Sequence, residues 1–323
     1  MAIRWIVAHG DCDGICSAAI SLAVNPEAEV FFSHPAGLAR DLAGIERGDL
    51  ILCDIAVSRG QSEELKRELR RLADSWEVTY VDHHPIPRGF VEDLGGVRFV
   101  VGEEETSSSE LTWRLFEHLL PVDMSRVAIY GAIADYSDDT PTVRKLLESW
   151  DKRELFLESG LLVEALEGRR KRDYEFKRRV VQLLSKNLLP SSEEDIFETA
   201  VKERAVDEEK RKLVAERTRT LGGVAYVLDP GWALGKAATY ARVFGGTLLG
   251  VAGETRDKTI DLSVRGICDI DLGEVVEAVA LELGGSGGGH RRAAGARIPV
   301  GSFEEFIGRL SFRASEIGGS GPG

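Results

Sequence analysis

Ile3-Arg4-Trp5-Ile6-Val7-Ala8-His9-Gly10-Asp11-Cys12-Asp13-Gly14 is the stretch that sets the fold. Its apolar run reads as a short buried strand. The run breaks into a carboxylate-rich turn, and a helix pattern follows from Ile15 to about Val24. The same grammar recurs downstream. Residues 30–33 read as a second strand, residues 49–54 as a third closed by Asp54, and residues 78–82 as a fourth closed by Asp82-His83-His84-Pro85. Residues 98–101 make a weaker strand. Helix patterns cover Ser62 to Ala73 and residues 108–120, the second entered through a serine run. An apolar helix or strand, residues 126–134, ends at Asp135. Strands alternating with helices imply an α/β fold with a parallel sheet. In such sheets ligands bind at the carboxyl ends of the strands, which is where the acidic residues fall.

Outward from this N-terminal domain, residues 1–145, the character changes. Residues 146–220 are helical and highly charged, and are expected to form a connector with an oligomer contact. They hold the basic runs Arg169-Arg170-Lys171-Arg172 and Lys177-Arg178-Arg179, read as a solvated helix face or a phosphate-tracking patch. A smaller α/β domain is expected over residues 221–312, with strands at 224–228, 247–252 and 259–265 and helices at 234–244 and 272–283. Residues 313–323 end in Gly-Gly-Ser-Gly-Pro-Gly and are expected to be disordered.

The 323 residues suit two domains, and 43% hydrophobic residues can bury a core. No apolar stretch approaches the ~20 residues that span a bilayer. The N-terminal run is too short for a signal peptide, so no membrane association and a cytoplasmic location are expected. Cys12, Cys16, Cys53 and Cys268 show no disulfide framework, and three of them lie beside acidic motifs as small fillers. A net charge of −13 argues against a broad grip on long duplex nucleic acid. It leaves room for a small or single-stranded substrate in a local basic channel.

His9, Asp11 and Asp13 lie two apart, so an extended strand end would point all three the same way. So many polar and charged groups in one volume are costly without a cation. Asp54, Asp82, His83 and Asp135 add donors at other strand ends. Carboxylates with a few imidazoles suit Mn²⁺, with Mg²⁺ as the other ion the set admits. The ligand number calls for two ions, and a pair of ions suits hydrolysis of phosphate esters. In the C-terminal domain, Gly287-Gly288-Gly289 lets the backbone approach an anion closely. His290 and Arg265 can add charge-assisted contacts to a phosphate. His34 and His118 fit no motif and are read as structural.

The order His9-x-Asp11-x-Asp13-Gly14, Asp54, Asp82-His83-His84, Asp135 resembles the DHH phosphoesterases. These include RecJ-like exonucleases, nanoRNase/pAp phosphatases and cyclic-dinucleotide phosphodiesterases. Ser263-Val264-Arg265 and Gly287 to Gly295 resemble the family's associated C-terminal substrate-binding domain, so the likeness covers nearly the whole chain. It implies one ion held by His9, Asp11 and Asp54, and another by Asp13, Asp54, His83 and Asp135, with Asp54 bridging. It implies that Asp82 supports the ions and that His84 contacts the scissile phosphate or protonates the leaving oxygen. Ser263, Arg265, Gly287, Gly288, Gly289 and His290 would hold the substrate. The implied activity is exonucleolytic hydrolysis of single-stranded or short DNA or RNA to mononucleotides, leaning to the three-prime end. A nanoRNase/pAp phosphatase or cyclic-dinucleotide phosphodiesterase is the alternative, and a non-catalytic replication or repair scaffold ranks last. The implied partners are nucleic acid or a nucleotide, a replication or repair protein, and a second copy of the chain.

Overall fold

A computed structural model describes residues 3–102, 105–168, 170–267 and 270–318, except the side chains of Arg59, His290 and residues 314–318. The chain divides into two compact units, residues 1–203 and 204–323. The first unit runs β1 (Trp5–His9), α1 (Cys12–Val24), β2 (Glu29–Ser33), α2 (Leu38–Ala43), β3 (Leu50–Cys53), α3 (Ser62–Ala73), β4 (Val78–Asp82) and β5 (Val97–Val101). Then come α4 (Ser108–Phe116), α5 (Ser125–Ala134), α6 (Pro141–Leu147), α7 (Lys152–Glu167), α8 (Tyr174–Ser185) and α9 (Glu194–Arg217). The segment left open between helix and strand is the helix α5.

The five strands form a parallel sheet in the order β2-β1-β3-β4-β5. Side chains alternate across it. Ile6, Ala8, Ile51, Cys53 and Val81 enter one core layer under α1, α4 and α5. Val7, Leu50, Leu52, Val78 and Tyr80 enter the other, with Leu38 and Leu42 of α2 and Leu65, Leu69 and Leu72 of α3. Covering both faces explains why these strands read as unbroken apolar runs. Because β1 has β2 on one side and β3 on the other, the chain reverses direction at β1/β3, which opens a crevice at the strands' carboxyl ends.

Residues 146–203 do not form a free connector. Leu155, Leu162, Phe176, Val180, Leu184 and Ile196 are buried in the same core layer as α1 and α5. Their spacing gives α7 and α8 an apolar stripe beneath a charged surface. The basic runs are largely spent on packing. Arg170 and Arg179 both donate to Asp195, and Arg170 lies over the Phe176 ring. Arg178 donates to Glu175, while Lys171 and Arg172 are exposed. Arg169 lies outside the described residues. Cys12, Cys16 and Cys53 are buried free thiols around α1 and β3, and Cys268 lies outside the described residues.

The unit boundary falls inside α9. The second unit continues with β6 (Arg219–Leu221), β7 (Val224–Leu228), α10 (Leu234–Gly245), β8 (Leu249–Arg256), β9 (Thr259–Gly266), α11 (Leu272–Glu282), β10 (Ser286–His290), β11 (Ala293–Pro299) and α12 (Phe303–Gly318). Its sheet has the order β10-β11-β9-β8-β7-β6. Its core holds Val251, Leu262, Val264, Val276, Phe306 and Leu310. The glycine run is not a loop. It is the edge strand β10, paired antiparallel with β11. Gly289, at φ 150°, would press a Cβ within 2.5 Å of the Ala293 carbonyl oxygen, so glycine is required there. Residues 313–318, expected to be disordered, continue α12, and residues 319–323 lie outside the described residues. Among the described residues no helix is long and apolar enough to cross a membrane.

Candidate metal centre

The acidic motifs converge at the carboxyl edge of the parallel sheet. His9 ends β1, Asp54 follows β3, Asp82 ends β4 and His83 follows it. Asp11 and Asp13 are not on an extended strand. Asp11 is the N-cap of α1, accepting from the Gly14 N–H at 3.1 Å, and Asp13 sits in the first helical turn. The two carboxylates therefore diverge. Asp11 turns to His9, whose Nδ1 lies 2.7 Å from Asp11 Oδ2. Asp13 turns inward to the first turn of α4, where the Ser108 and Ser109 N–H groups donate to its two oxygens at 2.7 and 3.0 Å. That turn carries free N–H groups and the positive end of the helix dipole, a natural seat for a carboxylate.

Two three-donor groups result. His9, Asp11 and Asp54 place one ligand atom each within 4.8 Å of one another, and so do Asp13, His83 and Asp135. They meet at Asp54 and His83, whose Oδ1 and Nε2 are 3.5 Å apart, and His83 Nε2 is 3.5 Å from Asp135 Oδ2. His9 Nδ1 is 3.8 Å from Asp54 Oδ2. His84 stands in a third group with Asp54 and His83. Asp82 stands in none. It is fully buried, and its Oδ1 accepts from the His83 N–H and holds His84 Nδ1 at 2.8 Å. Its place is behind the histidines, orienting them.

Asp54 is 2% exposed and takes a left-handed backbone, φ 62°, while its N–H donates to the Val81 carbonyl. Ser108 Oγ donates to Oδ1 at 3.1 Å, whereas the buried Oδ2 has no hydrogen-bond donor among the described residues. Burial, then the Asp11, Asp13 and Asp82 carboxylates, push the Asp54 carboxyl well above the ordinary range. Burial likewise raises Asp13. Burial would lift Asp11 too, but the His9 charge and hydrogen bond bring it well down. Burial lowers His83, which favours the neutral imidazole that a metal ligand requires. For His84 burial is outweighed by the Asp82 hydrogen bond and charge, so its imidazole is raised. Three acids crowded round an Asp54 oxygen without a donor, with imidazoles at the rim, fit a divalent cation, and the mixed oxygen and nitrogen set suits Mn²⁺.

Motif reading assigned no role at this site to the serines of α4 or to Lys177, which hydrogen-bond Asp13, Asp54 and the His9–Asp11 turn. Lys177 is buried and donates to the Gly10 carbonyl inside the His9–Asp11 turn. The serine run was the visible trace of the first; the second showed only as part of the basic run Lys177-Arg178-Arg179.

In the second unit, Arg265 Nη1 donates to Ser263 Oγ at 2.9 Å and to the Val264 carbonyl at 3.0 Å. Arg265, Ala293 and His290 form one row across β9, β11 and β10. The structure thus gathers Ser263, Arg265 and Gly287–Gly289 at one end of the sheet, with the backbone of His290; the His290 side chain lies outside the described residues.

Residues 224–315 match the family model of the DHHA1 domain. No curated protein matches the sequence. Among solved structures, the chain is similar to the pGpG-specific phosphodiesterase PggH of Vibrio cholerae, with TM-score 0.62 at 13% identity, covering 97% of this chain and 99% of that one. It is similar to RecJ of Thermus thermophilus in complex with Mn²⁺, with TM-score 0.65 at 18% identity over 97% of this chain, spanning about half (52%) of the RecJ chain. The DHH domain of a member of the s1p family of ribosomal proteins gives TM-score 0.69 at 15% identity, covering 97% and 86% of the two chains. With the matched DHHA1 domain in the second unit, this chain shares its overall fold with these PggH, RecJ and DHH-domain structures.

Proposed function

We propose that this protein is a Mn²⁺-dependent phosphodiesterase, an exonuclease that hydrolyses single-stranded or short DNA or RNA to mononucleotides from the three-prime end. The observation that carries this reading is the pair of donor groups, His9-Asp11-Asp54 and Asp13-His83-Asp135, meeting at the buried Asp54 carboxylate. Divalent ions held there would lower the pKa of a bound water and neutralise charge on the phosphoryl oxygens. Asp54 would be shared between them. Asp13, locked by the α4 N–H groups, keeps one donor set rigid. His84, held by Asp82 and carrying a raised pKa, can contact the phosphate or give a proton to the leaving oxygen. Ser263 and Arg265 supply a hydroxyl and a guanidinium for substrate phosphate, with Gly287–Gly289 and His290 beside them.

A second reading, hydrolysis of a linear dinucleotide, is favoured by the match along 99% of the pGpG-specific PggH chain. An end-labelled digest separates the two. With Mn²⁺, short single-stranded DNA and RNA should release mononucleotides, and a chelator should stop the reaction. Cleavage of pGpG without cleavage of longer strands would select the second reading. A protein inert on oligonucleotides, pGpG and pAp alike would refute both.

A further inference from the structure

We propose that Tyr136 is a specificity-determining residue of this site, the platform on which the base of the nucleotide undergoing cleavage stacks. The proposal rests on the nucleotide-hydrolysing reading above. α5 ends in a Schellman motif: the Ser137 N–H donates to the Ala132 carbonyl at 2.8 Å, and the Tyr136 N–H to the Ile133 carbonyl at 3.2 Å. That geometry puts Tyr136 at the left-handed position, φ 57°, where glycine is the usual occupant because a Cβ is disfavoured. The side chain gains nothing from packing. It is 91% exposed, the most exposed of the large hydrophobic residues described, and no aromatic ring among the described residues stacks on it.

Stability alone would place glycine or asparagine here. Two unfavourable features coincide, a strained backbone and a solvated ring, and they do so one residue from Asp135. The Asp135 carboxylate belongs to the donor group with Asp13 and His83. A nucleotide has a matching arrangement, with its base one sugar away from its phosphate. An exposed phenol ring one residue along the chain from a candidate metal donor suits a base, which offers an aromatic face whatever its sequence identity. Strain kept at such a position marks function rather than folding.

The test compares Tyr136→Gly and Tyr136→Phe with the wild-type Mn²⁺-loaded chain, on a short oligonucleotide and on one whose terminal residue is abasic. Tyr136→Gly should raise KM about tenfold with kcat within about twofold, because base–aromatic stacking is lost. Its Tm should rise, since glycine relieves the left-handed strain. Tyr136→Phe should retain the wild-type KM. The abasic substrate should show the same KM in wild type and Tyr136→Gly. An active wild type with unchanged KM in Tyr136→Gly would overturn stacking while sparing the hydrolytic reading. A fall in Tm would show the ring to be structural and overturn the proposal. A wild type inert on every nucleotide would overturn both.

Discussion

Asp54 concentrates the physics of the site. A left-handed backbone costs an ordinary residue roughly 1–2 kcal/mol, and asparagine, with aspartate, tolerates it best. Asp54→Asn should therefore keep the local backbone and remove the charge. Without metal, its Tm should equal or exceed that of the wild type. Its Mn²⁺-induced Tm shift should vanish, and turnover should fall by more than about a hundredfold, beyond the loss of a supporting partner. Thermal melts with and without Mn²⁺ would decide it; a retained Mn²⁺ shift would remove Asp54 from the bridge. The raised carboxyl also sets a pH dependence. The metal-free folded chain holds a proton that the unfolded chain releases above 3.8. Stability from that proton is present at low pH and is lost as pH rises from 3.8 towards the folded value. An ion bound there would take the proton's place, so the Mn²⁺-induced Tm gain should be small at about pH 5 and grow towards about pH 8. A gain independent of pH would contradict this. At this scale the sequence marked His9, Asp54 and Asp82 at the ends of strand-like runs, with Asp11 and His83 close after them and Asp135 after an apolar helix, and the fold draws these residues to one edge of the sheet. Asp82 was not separable from the ligands, since its burial behind His84 depends on tertiary packing.

Among elements, the seat of Asp13 matters most. α4 and α5 approach closely at Gly131, where a Cβ would lie 2.3 Å from Ser109 Oγ and 2.6 Å from Asp13 Oδ1. Gly131→Ala should cost about 1–3 kcal/mol by overpacking and should also displace Asp13. Urea unfolding and Mn²⁺ titration read the two effects, and a stable variant with full affinity would show the contact to be soft. The α4 serines escaped motif reading because their N–H groups meet Asp13 across 95 residues of sequence. The alternation argument failed at Asp11 and Asp13 because the helix begins at Cys12 and turns successive side chains about its axis. The glycine strand left no trace as a strand in the sequence because glycine has no side chain to show a period of two.

For the whole molecule, every candidate ligand lies in the first unit and Ser263, Arg265 and the glycine strand in the second. Mn²⁺ should therefore slow amide exchange around β1, β3, β4 and α5 and leave β8 and β9 unchanged. Exchange measured by mass spectrometry on the full chain tests this, and equal protection of both units would contradict it. The first-unit fold was legible because a buried parallel sheet writes itself as apolar runs. The unit boundary was not, since α9 crosses it as one continuous charged helix and offers no glycine or proline to mark it.

The buried thiols of the first unit give the protein a built-in clock. Burial pushes the Cys53 thiol up to about 12, and a Cys16 contact with burial lifts Cys12 well above its ordinary value. Neither is a nucleophile while β1, α1 and β3 stay closed. Their alkylation would time each opening of the sheet that carries the ligands. Mapped by mass, modification at Cys12, Cys16 and Cys53 should slow together when Mn²⁺ is added, and the ratio of the two rates would measure how firmly the ion staples that sheet shut.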